Sequence, residues 1–175
     1  MKTIASQWLD SSDEVTWLVC EQGNRWADAA RRFSPEGLQE PWVSQVTSCE
    51  PSEVLRQIAR HPLAKTSSHR RIPVVVLWEL TPGGIAKMLL VVTQVKAAFP
   101  DVIQMAGITG IPNSMHPAIS ELGASLLLTA PESLQNVARQ INRRAFAASP
   151  PDAASTITPA ASAVAAPSST ITPSP

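Results

Sequence analysis

Apolar and polar positions along the chain predict five strands that alternate with five helices. The third strand has the clearest signal: residues 73–80 read PVVVLWEL, a continuous apolar run that is typical of a parallel strand covered on both faces. Shorter runs rich in β-branched and apolar residues precede and follow it. The predicted strands are 15–20, 42–48, 73–80, 102–107 and 124–129.

Between the strands, apolar residues recur at helical spacing. The second helix begins at Pro51, with Leu55, Ile58 and Ala59 predicted on its inner face. A short fourth helix ends before Gly123, which is expected in a left-handed conformation. Thr129 and Glu132 have the spacing of a capping box before the last helix. The five helices are predicted near 26–33, 51–60, 85–99, 116–122 and 131–145.

Five strand–helix pairs in succession favour an open parallel sheet with helices on both faces. Composition changes at residue 149, after which 23 of 27 residues are Ala, Pro, Ser or Thr, too polar to form a core. The sequence therefore predicts an N-terminal arm (1–13), an α/β domain (14–146) and a disordered tail (147–175) that contains the motif STITP twice.

Charge and composition exclude several functions. The 14 basic and 14 acidic residues balance, which removes the electrostatic case for a nucleic-acid or anionic-membrane partner. No apolar run approaches the roughly 18 residues of a membrane span, and residues 1–14 lack the apolar core of a signal peptide, so we expect a cytoplasmic protein. The three histidines lack metal-site spacing, and we expect neither a metal nor a cofactor.

Residues 116–144, HPAISELGASLLLTAPESLQNVARQINRR, resemble the end of the receiver domain of bacterial response regulators. Receivers have a short helix ending in Leu-Gly-Ala, an apolar strand, a Lys-Pro and a helix opening with Leu; here residues 122–124, 126–128, Pro131 and Leu134 occupy those places. Residues 73–84, PVVVLWELTPGG, are similar to the receiver strand ending Asp-x-x-x-Pro-Gly. AAFPDVIQMAG, residues 97–107, resembles the helix end and strand that follow.

The resemblance covers roughly residues 14–145 and implies a fold and a site. The fold is a flavodoxin-like, three-layer (βα)5 sandwich with strand order 2-1-3-4-5, whose ligand crevice lies at the carboxyl ends of strands one and three. The site of a receiver takes a phosphoryl group onto an Asp with the help of Mg²⁺, a Thr or Ser and a Lys.

Each part of that site is changed in this chain. The phosphoacceptor position, four residues before Pro82, is Trp78, and the acidic pair falls at Glu21 and Gln22. The Thr/Ser position falls at Ala106 and the Lys position at Ala130. A one-residue slip would instead make Glu79 the acceptor, but it would exchange the two faces of the strand. We therefore expect a degenerate phosphoacceptor pocket filled by an indole.

The leading hypothesis is a pseudo-receiver that is not an enzyme and acts as a protein-interaction module in signal transduction. The resemblance implies a partner face formed by helix 4, strand 5 and helix 5, which is also a possible homodimer surface. Four residues of the last helix are candidates for contact with a protein partner: Arg139, Gln140, Arg143 and Arg144.

Two alternatives remain open at this level. Cys20 and Cys49, near the ends of adjacent predicted strands, could form a redox-responsive pair, although no positive charge near them lowers a thiol pKa. A small ligand could instead bind in the crevice between strands one and three. There, backbone N–H groups at Gly23 and Asn24, where a helix starts, would meet an anion.

Overall fold

The computed structural model of the protein describes residues 14–38, 40, 42–61 and 73–147. The predicted arm, and the predicted tail after residue 147, lie outside the described residues. Strands and helices alternate, as the apolar pattern predicts. The strands are β1 (Glu14–Cys20), β2 (Val43–Ser48), β3 (Val74–Leu80), β4 (Ile103–Ile108) and β5 (Leu126–Leu128).

Each strand is followed by an α-helix, and three of these helices begin with a short 3-10 turn. The turns are Pro51–Glu53, Asn113–Met115 and Pro131–Ser133. A proline at or near the start of a helix is favourable because its missing N–H would have no intrahelical partner there. The α-helices are α1 (Arg25–Phe33), α2 (Val54–Arg60), α3 (Ile85–Ala98), α4 (His116–Leu122) and α5 (Leu134–Ala147).

The five strands form one parallel sheet in the order β2-β1-β3-β4-β5, which confirms the predicted strand order. Its register places Trp78 of β3 between Cys20 of β1 and Ala106 of β4. Since successive side chains of a strand point to opposite faces, neighbours in register share a face of the sheet. The register therefore decides which side chains meet at the carboxyl edge.

Helices cover both faces of the sheet, and each face has its own apolar core. On one face, α1 and α5 pack over residues such as Trp17 and Leu77; we call it the α1/α5 face. On the opposite face, α2, α3 and α4 pack over residues such as Val76 and Trp78; we call it the α2/α3/α4 face. Burial on both sides explains why β3 is apolar almost throughout.

Two local predictions are wrong and one is confirmed. Ala59 is exposed, because Val54 and Ile58 form the buried side of α2. The capping box is absent, since the last helical segment begins after Ala130, which makes no side-chain cap hydrogen bond. Gly123 ends α4 with a φ of 138°, a conformation that other residues rarely adopt.

Candidate functional site

Trp78 lies at the centre of the candidate site and is fully buried on the α2/α3/α4 face. Its indole Nε1 donates a hydrogen bond of 3.0 Å to Oε1 of Gln104, two residues before Ala106 on β4. Gln104 is itself buried, and its Nε2 donates at 3.1 Å to the carbonyl oxygen of Val92 in α3. The indole of Trp78 is therefore fully enclosed, and its one polar atom has a hydrogen-bond partner.

Of the other positions of the predicted degenerate pocket, the sheet register places Ala106 next to Trp78. Ala106 is its buried register partner on β4, and Ala130 is half-buried in the turn that precedes α5. Glu21 and Gln22 follow directly after Cys20, the register partner on β1. The structure thus brings Trp78 and Ala106 side by side, and neither side chain offers an oxygen or a positive charge to a phosphoryl group.

Glu21 caps the start of α1. Its two carboxylate oxygens accept hydrogen bonds of 2.8 Å from the backbone N–H groups of Trp26 and Ala27. These groups have no intrahelical acceptor, and a negative charge near them interacts favourably with the helix dipole. The N–H groups of Trp26 and Ala27 are therefore not free to bind an anion, and anion binding at Gly23 and Asn24 stays a prediction.

Glu79 points to the opposite side from Trp78, toward the crevice. Its Oε2 accepts a hydrogen bond of 3.0 Å from the backbone N–H of Gln22. In the observed register Trp78, not Glu79, pairs with Ala106, and Glu79 pairs with Gly107. The second carboxylate of this edge therefore fixes the β1–α1 loop, as Glu21 fixes the first turn of α1.

A second buried tryptophan, Trp26 of α1, lies against Gly107 on the α1/α5 face. A Cβ added to Gly107 would lie 2.3 Å from Cε2 of Trp26, far inside van der Waals contact. The sequence predicted a helix that begins near Trp26 but did not reveal this contact. The signal was a glycine inside a predicted strand, which often marks a close approach by another group.

Gln104 was also missed as a partner of the indole. It is a polar residue in the middle of a strand that is buried on both faces. Such a side chain requires hydrogen-bond partners, because an unpaired buried amide is costly. That requirement was readable from the sequence; the identity of the partners, Trp78 and Val92, was not.

The candidate partner residues of α5 do not form one uniform patch. Arg139 pairs with Glu36 at 2.7 Å, on the side of α5 that meets the segment after α1. On the same side Asn142 donates hydrogen bonds to the carbonyl oxygens of Ser34 and Glu36. The remaining three candidates, Gln140, Arg143 and Arg144, are exposed.

A polar cavity of about 310 Å³ lies beside the crevice. Arg25 at its wall donates a hydrogen bond of 3.1 Å to Oγ1 of Thr109. The wall also includes Asn113, His116 and Thr129, at the carboxyl ends of β4 and β5 rather than between β1 and β3. The alternative of a small ligand between strands one and three stays a prediction.

Cys20 and Cys49 approach each other as the sequence suggested. Their Sγ atoms lie 3.6 Å apart; both thiols are free, Cys20 is buried and Cys49 is half-buried. The hydrogen bond between them raises the pKa of Cys20, and burial adds to the rise. The same hydrogen bond lowers the pKa of Cys49, while burial and two glutamates, Glu53 and Glu50, act against it.

Within residues 14–38, 40, 42–61 and 73–147, no group of three or more His, Cys, Asp or Glu side chains is placed to hold a metal ion. Over the same part of the chain, no helix combines the length and the apolar character that a membrane crossing requires.

Solved structures with the same fold are response-regulator-like. A CheY-like protein (tadZ) from Pseudomonas aeruginosa PAO1 is 15% identical, with a TM-score of 0.55 over 73% of this chain and 93% of that one. A response regulator from Thermotoga maritima is 12% identical, with a TM-score of 0.56 over 74% and 98%. No protein-family model and no curated protein matches the sequence. The chain therefore has a CheY-like, flavodoxin-like α/β fold, and similarity at this level of identity shows the fold alone.

Proposed function

We propose that this chain is a pseudo-receiver, a receiver-like domain that takes no phosphoryl group and acts as a protein-interaction module in signal transduction. The observation that carries the proposal is Trp78. It stands where the resemblance assigns the phosphoacceptor Asp, it is fully buried, and its indole is hydrogen-bonded to Gln104. An indole has no carboxylate to accept a phosphoryl group or to bind Mg²⁺.

The two carboxylates at this edge support the proposal because both are already engaged. Glu21 accepts two backbone hydrogen bonds from α1, and Glu79 accepts one from the β1–α1 loop. Use of Glu21 as an acceptor or a metal ligand would compete with the two bonds that hold the helix start. Ala106 and Ala130 supply neither a hydroxyl nor an ammonium to the phosphoryl oxygens.

The role in signalling is inferred from the fold. One of the similar structures is described as a response regulator and the other as a CheY-like protein. A receiver scaffold without its phosphorylation chemistry retains its surfaces, so binding is the function that remains for it.

The proposed binding face is formed by α4, β5 and α5. Leu122 at the end of α4 and Leu126 at the start of β5 are large apolar side chains that are 37% and 38% exposed. β5 is an edge strand with β4 as its only neighbour in the sheet. The exposed Arg143 and Arg144 of α5 add positive charge, so we infer a protein partner with an apolar centre and an acidic rim.

The phosphorylation half of the proposal is tested by incubating the protein with acetyl phosphate and Mg²⁺ and measuring its intact mass. A receiver with an acceptor Asp serves as the positive control. We expect no added phosphoryl group. A covalent phosphate that is absent from Glu79→Gln or Glu21→Gln would overturn the proposal and identify the acceptor.

The binding half is tested by cross-linking in extracts of the native host, followed by mass spectrometry. A specific partner should cross-link to α4, β5 and α5 and be lost in the double variant Leu126→Glu, Arg144→Glu. The matched control is Leu90→Glu, because Leu90 is 61% exposed on α3, a helix that is not one of the three elements of this face. Equal loss in both variants, or cross-links spread over the whole surface, would contradict the proposal. Sedimentation equilibrium tells whether the partner is a second copy of the chain.

A further inference from the structure

The backbone holds Cys20 and Cys49 opposite each other on adjacent strands. The last register pair of β1 and β2 is Val19 with Ser48, and the backbone N–H of Cys49 donates to the carbonyl oxygen of Val19 at 3.0 Å. Cys20 and Cys49 are thus the next pair in the same ladder. Their side chains point to the same face, with Sγ atoms 3.6 Å apart.

This placement is compatible with a disulfide. Neighbouring strands lie about 4.8 Å apart, within the roughly 4.4–6.8 Å that separates the Cα atoms of bridged cysteines. The two sulfurs would approach by about 1.5 Å to reach the usual S–S bond length of about 2.05 Å. Small rotations of the two side chains would bring the sulfurs to this distance without a change in the spacing of the strands.

The two thiols differ in a way that suits thiol–disulfide exchange. Cys20 is fully buried and Cys49 is half-buried, and a hydrogen bond in which either thiol can donate joins the two sulfurs. That hydrogen bond lowers the pKa of Cys49, although Glu50 and Glu53 oppose the shift. A neighbouring thiol thus provides the stabilisation that sequence reasoning sought in a positive charge. Cys49 is the accessible nucleophile and Cys20 the resolving thiol.

We propose that Cys20 and Cys49 form a redox site that cycles between two thiols and an intramolecular disulfide by exchange with a low-molecular-weight disulfide such as oxidised glutathione. The site goes beyond the pseudo-receiver function and does not depend on it. Cys20 directly precedes Glu21, which caps α1, and Cys49 lies two residues before Pro51, where the 3-10 turn that leads into α2 begins. The disulfide would therefore link the end of β1 to the chain just before this turn.

The exchange proceeds in two balanced steps. The thiolate of Cys49 attacks one sulfur of the small disulfide, forming a mixed disulfide and releasing one small thiol, which takes up the proton that Cys49 lost. The sulfur of Cys20 then attacks Sγ of Cys49 and releases the second small thiol, which takes the proton of Cys20. The protein thiols lose two electrons, and one small disulfide is reduced to two thiols.

The site is tested by equilibrating the full chain with mixtures of reduced and oxidised glutathione, then counting free thiols by alkylation and intact mass. We expect two thiols to be lost together and regained in excess reduced glutathione, with a rise in Tm of about 10 °C for the oxidised form. Two free thiols at every ratio, or a disulfide between two chains, would overturn the proposal.

Matched variants separate a redox site from simple packing. In Cys20→Ser a hydroxyl still donates to Cys49, so the rate of Cys49 alkylation by iodoacetamide should keep its low-pH onset. In Cys20→Ala the donor is lost, and the onset should move to higher pH. Identical profiles in the two variants would contradict the assigned roles. The pair Cys49→Ser and Cys49→Ala checks folding by Tm, and in both the remaining Cys20 should react slowly.

The outcome is distinguishable from failure of the proposed function. Acetyl phosphate labelling reports on the carboxylates and Trp78, and glutathione titration reports on the two sulfurs. A protein that takes a phosphoryl group could still carry the redox site, and one that does not could lack it.

Discussion

Two tryptophans, Trp26 and Trp78, are fully buried beside neighbouring residues of β4, on opposite faces of the sheet, and they are held in different ways. Trp78 lies on the α2/α3/α4 face, next to Ala106, with its Nε1 bonded to Gln104. Trp26 lies on the α1/α5 face over Gly107, and its Nε1 has no hydrogen-bond partner among the described residues. One indole is held by packing and a hydrogen bond, the other by packing and a cation–π contact with the guanidinium of Arg25, 5.4 Å from the ring centroid.

The two indoles also differ in where they lie relative to the site that the resemblance implies. A buried indole whose polar atom is satisfied makes a stable core element where the resemblance expects a charged, hydrated site. The crevice on the opposite side keeps two carboxylates, but they bind backbone N–H groups of the β1–α1 loop and α1. At the carboxyl edge of the sheet, both carboxylates and the indole of Trp78 are therefore hydrogen-bonded within the domain.

The largest expected effect comes from removing each indole. Trp78→Ala and Trp26→Ala should each lower the free energy of unfolding by about 3–5 kcal/mol, because a large cavity is left. Trp78→Ala should be the more damaging, since it also leaves the buried Oε1 of Gln104 without a donor. Urea denaturation measures both. A greater loss of unfolding free energy for Trp26→Ala would contradict the view that the hydrogen bond to Gln104 makes Trp78 the more strongly held indole.

Overpacking at Gly107 comes next and should affect the Trp26 face alone. Gly107→Ala should destabilise by about 1–3 kcal/mol, because the new Cβ overlaps the indole ring. Adding Trp26→Leu should recover part of that loss in a double-mutant cycle. Gly83→Ala is the control, since a Cβ there meets nothing within 4 Å. Simple additivity of the two substitutions would show that the ring is not the obstacle.

Conservative substitutions isolate the hydrogen bond. Trp78→Phe should destabilise by about 1–3 kcal/mol more than Trp26→Phe, because only Trp78→Phe leaves a buried acceptor unpaired. Both variants lose similar apolar area, so the difference between them reports the bond. Adding Gln104→Met to Trp78→Phe removes the unpaired acceptor, so the stability of the double variant should come closer to that of Trp26→Phe. Equal losses for the two Phe variants would mean that the bond to Gln104 contributes nothing net.

The smallest expected effect is at the start of α1. Glu21→Gln keeps one acceptor oxygen but removes the charge, and it should lower the free energy of unfolding by about 0.5–1 kcal/mol. Hydrogen exchange of the backbone N–H groups of Trp26 and Ala27 should become faster. The side-chain amide of Gln104, on the other face, should be unchanged and serves as the internal control.

Much of the fold could be predicted from the sequence because its signals are local. The apolar run of β3, the helical stripe of α1 and the Leu-Gly-Ala end of α4 each specify their element within a few residues. The resemblance then supplied the strand order, which the structure confirms. Predictions about element ends were weaker, as the absent capping box at Thr129 and Glu132 illustrates, because competing starts differ little in energy.

The site was predictable only in part. Counting back from Pro82 assigned Trp78 to the acceptor position, and the register of β3 against β4 places it beside Ala106. The assignment of these residues to a phosphoacceptor pocket stays a prediction. The sequence analysis listed Arg139 with Arg143 and Arg144 as candidates for contact with a partner. It did not reveal that Arg139 forms an ion pair with Glu36, because the position of a residue on a helix does not show which residue of another element it meets. A charge can be located in the sequence, but its partner belongs to another element.

By itself the sequence determined the alternation of strands and helices, the burial of β3 and the absence of an acidic side chain at position 78. Only the tertiary structure decided that the indole bonds to Gln104, that Glu21 caps α1 and that two cysteines lie 3.6 Å apart. The physical reason is the distance along the chain over which each kind of interaction acts. Periodicity and propensity act over a few residues, whereas these contacts depend on strand register, which is settled when the whole sheet packs against its helices.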